Sequence, residues 1–96
     1  MEPSANKTAD ALIATGEYYL YGIMVITDGT NSVTVDTYDN TSGSGTKLHP
    51  QWVVTTGANE RAKTLSFDPP VFAGTGIYVD ITTAGTVNYM TYTRQK

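Results

Sequence analysis

Ninety-six residues without a cysteine are enough for one domain, and they exclude a second independent core, disulfide staples, thiolate metal sites and thiol catalysis. Six Lys and Arg against nine Asp and Glu give a net charge of −3, and the basic residues are scattered, which excludes the clustered positive charge of a nucleic-acid footprint. Only 16% of the residues are charged and only 40% are hydrophobic, so threonine and tyrosine fill a gap that most domains fill with charge.

The first ten residues, MEPSANKTAD, are polar and unpatterned, and they predict a flexible arm over residues 1–10 that is free in the monomer, ahead of a single domain over residues 11–96. The apolar stretch from Ala11 to Ile26 is broken by Gly16, Glu17 and Gly22. It follows no basic region beyond Lys7, precedes no small-residue cleavage site and is shorter than the ~20 residues of a membrane helix. It therefore predicts two core strands, around Ala11 to Thr15 and Glu17 to Thr27, in a protein made in the cytoplasm from its own Met1 with no membrane partner. Asp28-Gly29-Thr30-Asn31 is a tight turn, because Gly and Asn tolerate positive φ. Ser32 to Asp39 alternates cleanly, with Val33 and Val35 on one face and Thr34 and Asp36 on the other.

The run Asn40 to Thr46 (NTSGSGT) is too rich in Gly and Ser to hold a ladder and predicts an exposed loop. Trp52, Val53 and Val54 mark a strand whose start is limited by Pro50, with Trp52 in the core. Gly57 to Glu60 turns the chain into a strand from Arg61 to Phe67, with Leu65 and Phe67 inward, and Asp68-Pro69-Pro70 is expected to stop it. Val71 and Phe72 are expected to pin a crossing segment to the core. After a turn at Ala73 to Gly76, the strands Ile77 to Thr83 and Thr86 to Thr93 close the chain, with Ile77, Val79 and Ile81 as an inward stripe. Seven or eight short strands so punctuated predict an all-β fold: an antiparallel two-sheet β-sandwich of jelly-roll or immunoglobulin-like connectivity.

From Tyr18 to Ile26 both strand faces are apolar. Strict alternation puts Tyr19, Tyr21, Ile23 and Val25 on one face and Tyr18, Leu20, Met24 and Ile26 on the other, whereas a sandwich strand needs one apolar face. Either the arm or a loop covers the second face, or another subunit does. Aromatic residues and Met are enriched at interface centres, so Tyr18, Leu20 and Met24 become candidate interface residues, joined by Tyr78, Met90 and Tyr92 from the closing hairpin.

The inventory for chemistry is thin. His49 is the single histidine, set between Leu48 and Pro50, where a hydrogen-bonded structural role is the ordinary one. Gly43-Ser44-Gly45-Thr46-Lys47 lacks the frame of a phosphate-binding loop, and no serine sits in a G-x-S-x-G elbow. Asp36, Asp39, Asp80 and the Asp28–Asn31 turn are accounted for by turn chemistry and solubility; calcium is the other reading of such oxygen-rich loops, without a spacing motif behind it. The expectation is no catalytic residue, no cofactor and no metal site. Two stretches match the glycosylation sequon, Asn6-Lys7-Thr8 and Asn40-Thr41-Ser42, and without a secretory signal they are incidental.

Two longer stretches carry a resemblance. The run Tyr21-Gly22-Ile23-Met24-Val25-Ile26-Thr27, followed by Ser32 to Thr46 with its Tyr38-Asp39-Asn40, is similar to a pattern in small phage virion proteins. The segment from Pro70-Val71-Phe72 through Gly76-Ile77-Tyr78-Val79 to the last hairpin resembles the ending of the same group. The resemblance implies a non-enzymatic virion β-domain of the capsid cement or decoration type, with no catalytic residues to carry over. It would bind the major capsid protein or another virion protein and assemble as a homo-oligomer, for example a trimer, with neither nucleic acid nor membrane as partner. The alternative is a carbohydrate-binding or host-adhesion module whose loops Asn40 to Thr46 and Ala73 to Gly76 touch glycans.

Overall fold

The computed structural model describes residues 1–55 and 57–96. Among these residues it contains eight strands and no helix: β1 (Glu2–Pro3), β2 (Ala11–Thr15), β3 (Tyr18–Thr27), β4 (Val33–Tyr38), β5 (Trp52–Val54), β6 (Ala62–Ala73), β7 (Gly76–Thr83) and β8 (Val87–Gln95). They form two four-stranded antiparallel sheets, the first in the order β1-β8-β3-β6 and the second in the order β2-β7-β4-β5. Pairing β1 with β8, β2 with β7, β3 with β6 and β4 with β5 amounts to one long antiparallel hairpin rolled up so that successive pairs fall in alternate sheets. That connectivity is a jelly roll, which decides between the two arrangements the sequence left open.

The core lies where the inner faces meet. Leu20, Ile23 and Val25 from β3 and Val87 and Tyr89 from β8 pack against Val33, Val35, Val54, Ile77 and Val79 of the second sheet. The alternation of β4 is observed as expected: Val33, Val35 and Thr37 are buried, while Thr34, Asp36 and Tyr38 face outward and are only half-buried. Trp52 and Phe67 pack against the core from its margins. At the turn after β3 the Asp28 carboxylate accepts the Thr30 and Asn31 amides, each at 2.8 Å, and Gly29 takes φ +84°. Those bonds hold the Asp28 carboxyl well below the usual carboxylate range, the Asn31 amide contributing most.

Two expectations are corrected. Residues 1–10 do not hang free: Glu2 and Pro3 pair with Thr93 and Tyr92, and Lys7 exchanges two backbone bonds of 2.9 Å with Tyr89. Nothing in the side-chain pattern announces this pairing, because an edge strand is held by main-chain groups that every residue carries. In addition, Asp68-Pro69-Pro70 does not end β6, whose ladder with β3 resumes at Val71 opposite Leu20. β6 is an edge strand, so prolines that cannot donate are tolerated there. Phe72 therefore does not pin the core; it is 44% exposed on the outer side, its ring 5.4 Å from that of Tyr19.

Candidate interaction surface

The face of β3 that looks outward is set by one irregularity. Leu20 pairs with Thr93 and Gly22 with the adjacent Tyr92, leaving Tyr21 as an extra residue, a β-bulge. The bulge reverses the phase of alternation, so Leu20 joins Ile23, Val25 and Thr27 in the interior, and Gly22 joins Met24 and Ile26 outside. The assignment of Leu20 to an interface is thereby corrected: it has 0% exposure and sits in the core. Tyr18, also assigned outward, is half-buried and packs against the core from the same side. Of the six predicted interface residues, Met24, Met90 and Tyr92 do share one surface, Met24 and Met90 being direct cross-strand partners.

That surface is the outer face of the first sheet. Gly22 leaves a gap between its neighbours Tyr92 on β8 and Ser66 on β6, and the gap widens into a groove of about 290 Å³ lined by Met1, Tyr21, Gly22, Met24, Thr64, Ser66 and Tyr92. A Cβ on Gly22 would stand 2.8 Å from the Leu65 carbonyl oxygen, so the close approach of β6 requires glycine there. Ile26, 40% exposed, and Phe72 extend the apolar surface at the two ends. No lining side chain is charged; Arg94, directly opposite Tyr19, and Lys96, whose Nζ stands 5.2 Å from the Phe72 ring centroid and 3.3 Å from Glu17, bound it at one end. Sequence reasoning missed Tyr19, Tyr21, Thr64, Ser66 and Phe72 as members of this face. The signal that finds the first two is Gly22 itself, because a glycine inside a central apolar strand marks a bulge or a close backbone approach.

Tyr78 belongs elsewhere. It pairs with Leu12 and Tyr38 on the outer face of the second sheet, beside Gly43 of the Asn40 to Thr46 loop. The neighbouring position brings Asp36 directly opposite Asp80. Lys47 reaches Asp36 at 3.1 Å and Gln51 donates to the same carboxylate at 3.1 Å; these bonds outweigh the effect of its burial and hold Asp36 below the usual range. Asp80 moves the other way, pushed up by burial and then by the charges of Asp10 and Asp36. Among the described residues no group of three His, Asp or Glu side chains is arranged to hold a metal ion.

Two remaining candidates are structural. His49 is buried, with Nδ1 2.6 Å from the Pro50 carbonyl and Nε2 2.8 Å from the Thr37 hydroxyl. A carbonyl only accepts, so Nδ1 carries the proton, and in the neutral ring Nε2 accepts from Thr37. Asp39 accepts the amides of Gly74, Thr75 and Gly76 at 3.1, 2.8 and 3.3 Å, which ties the Ala73 to Gly76 turn to the base of the Asn40 to Thr46 loop. Burial opposes ionisation of Asp39, and these three N–H groups outweigh it and lower its pKa. Compared with protein-family models, curated proteins and solved structures, the chain matches none.

Proposed function

We propose that this chain is a non-enzymatic structural protein of a phage particle, of the capsid cement or decoration type, which acts in the virion through the outer face of its first sheet. The observation that carries the reading is that face: Tyr21, Met24, Ile26, Met90 and Tyr92 form a surface whose centre carries no charged side chain, with Tyr19, Arg94 and Lys96 at one end, on a sheet whose other side already supplies the core. Jelly rolls serve as viral capsid domains and as lectins, which supports the reading by analogy of fold. Three strands ~4.8 Å apart and about 30 Å long, with the two residues of β1 beside them, offer roughly 500 Å² per partner, below the ~800 Å² of a standard interface. The face alone therefore supports a contact that repetition or further segments must strengthen. The partner is a second copy or the major capsid protein.

The test is sedimentation of the wild type and of Tyr92→Glu from micromolar to millimolar concentration. A concentration-dependent homo-oligomer that the variant loses while keeping its thermal unfolding transition supports the reading; a monomer throughout that also fails to co-sediment with assembled shells sinks it. A second reading, binding of neutral glycans, is favoured by the groove, where Tyr21 and Tyr92 stand with the Thr64 and Ser66 hydroxyls. The Asn40 to Thr46 and Ala73 to Gly76 loops, joined through Asp39, are its other candidate contact. Titration with cello-, manno- and chito-oligosaccharides separates the two readings, since amide shifts around Gly22 or around Gly74 appear only if a glycan binds.

A further inference from the structure

The N-terminal arm is attached in a way that leaves it separable. Ser4 donates its amide to the Thr91 carbonyl at 2.8 Å and accepts the Thr91 amide on its hydroxyl at 3.0 Å. The Asn6 side chain donates to the Asn88 side chain at 2.9 Å, and the Tyr89 hydroxyl donates to the Ala9 carbonyl at 2.6 Å. Of the first ten side chains only Ser4 and Lys7 are even half-buried, and none belongs to the core. At its base the arm is fixed differently, because the Asp10 carboxylate accepts the Ile81 amide of the second sheet at 2.7 Å. Residues 1–9 thus sit on the β8 edge through main-chain and polar side-chain bonds, with only the largely exposed Met1 reaching the margin of the outer groove, distal to a point anchored on the other sheet.

Every bond the arm makes on its own β8 can be made identically by the arm of another copy, and no buried side chain has to be extracted to release it. Extended, nine residues span ~30 Å, which exceeds the 23 Å width of the molecule. The apolar face by itself falls short of a standard interface, so an oligomer built on it gains from a second contact. We propose that associated copies of this chain exchange their arms, residues 1–9 of one copy lying on β8 of its neighbour and pivoting at Ala9-Asp10. This rests on the reading that copies associate, and it names how they are tied together: the docking surface is the β8 edge from Asn88 to Thr93 and its occupant is a second copy's arm.

The chain has no cysteine, so single thiols report cleanly. Asn6→Cys and Asn88→Cys are made on separate copies, mixed, and treated with a short bis-thiosulfonate cross-linker at rising concentration. Exchange predicts cross-linked Asn6→Cys/Asn88→Cys heterodimers several-fold above either homodimer, in a yield that rises with concentration. The double variant, cross-linked within one chain in dilute solution, establishes that the pair is in reach, and it is expected to lose oligomer relative to the wild type. A wild type that sediments as an oligomer while heterodimers stay at the level of homodimers overturns arm exchange and leaves the proposed face intact. A protein monomeric at every concentration overturns arm exchange and the self-association it rests on.

Discussion

The outer faces of the two sheets both look away from the shared core, yet they are chemically different. On the first sheet Tyr19, Tyr21, Met24, Ile26, Met90 and Tyr92 make a surface without a charge at its centre. On the second sheet Asp36 lies directly opposite Asp80, with Lys47 drawn in at 3.1 Å. Like charges face to face across a ladder repel, and water is what makes them tolerable. Covering that face would desolvate both carboxylates and the lysine, whereas covering the centre of the first face removes apolar area from water and leaves Arg94 and Lys96 at its end, where they can stay solvated. The contrast teaches that, of the two outer faces, the first is the one that a partner can cover at the smaller electrostatic cost.

The sharpest break in this comparison is across the thickness of β3. Leu20→Ala is expected to lose about 2–5 kcal/mol in urea unfolding, as for other fully buried leucines, while Met24→Ala on the outer side loses about 1 kcal/mol or less. Equal losses would mean that the bulge at Tyr21 does not set the phase of the strand. A smaller effect is expected at the loops. Asp39→Ala removes one carboxylate from three amides that water can partly satisfy, costing about 1 kcal/mol, and amide exchange at Gly74 to Gly76 should accelerate. Because the folded state lowers the Asp39 pKa, its contribution is present above the ordinary carboxylate range and is lost as the pH falls through that lowered value.

The smallest effect tests the second face. Asp80→Asn removes the like-charge pair and should stabilise the protein by about 0.5 kcal/mol at neutral pH. The sign with pH is opposite to that of Asp39. The folded state raises the Asp80 pKa, so native Asp80 favours folding most fully when protonated and loses that contribution as the pH rises through its raised value. The gain from Asp80→Asn should therefore fade on acidification, which thermal melts across the carboxylate range will read. A gain unchanged at low pH would locate it outside the Asp36–Asp80 pair.

Much of the fold was legible in the order of residues, because period-two alternation and turn chemistry are local. Val33, Val35 and Thr37 had to share a face, and Asp28 to Asn31 had to turn. The candidate surface was legible only in part. Met24, Met90 and Tyr92 were found through residue type and phase, but Leu20 was assigned to the wrong side because one extra residue, Tyr21, reverses the count. Phe72 was missed because Asp68-Pro69-Pro70 reads as a stop in any strand whose edge position is unknown.

Composition and periodicity by themselves determined an all-β chain of short strands with too little charge and one strand apolar on both sides. Only the tertiary structure decided that the strands roll into a jelly roll, that the polar arm closes the β8 edge, and which face of β3 looks outward. The reason is physical: alternation is written in each residue's own side chain, whereas pairing, bulges and edges depend on main-chain groups that are alike in every residue and on a neighbour far away in sequence.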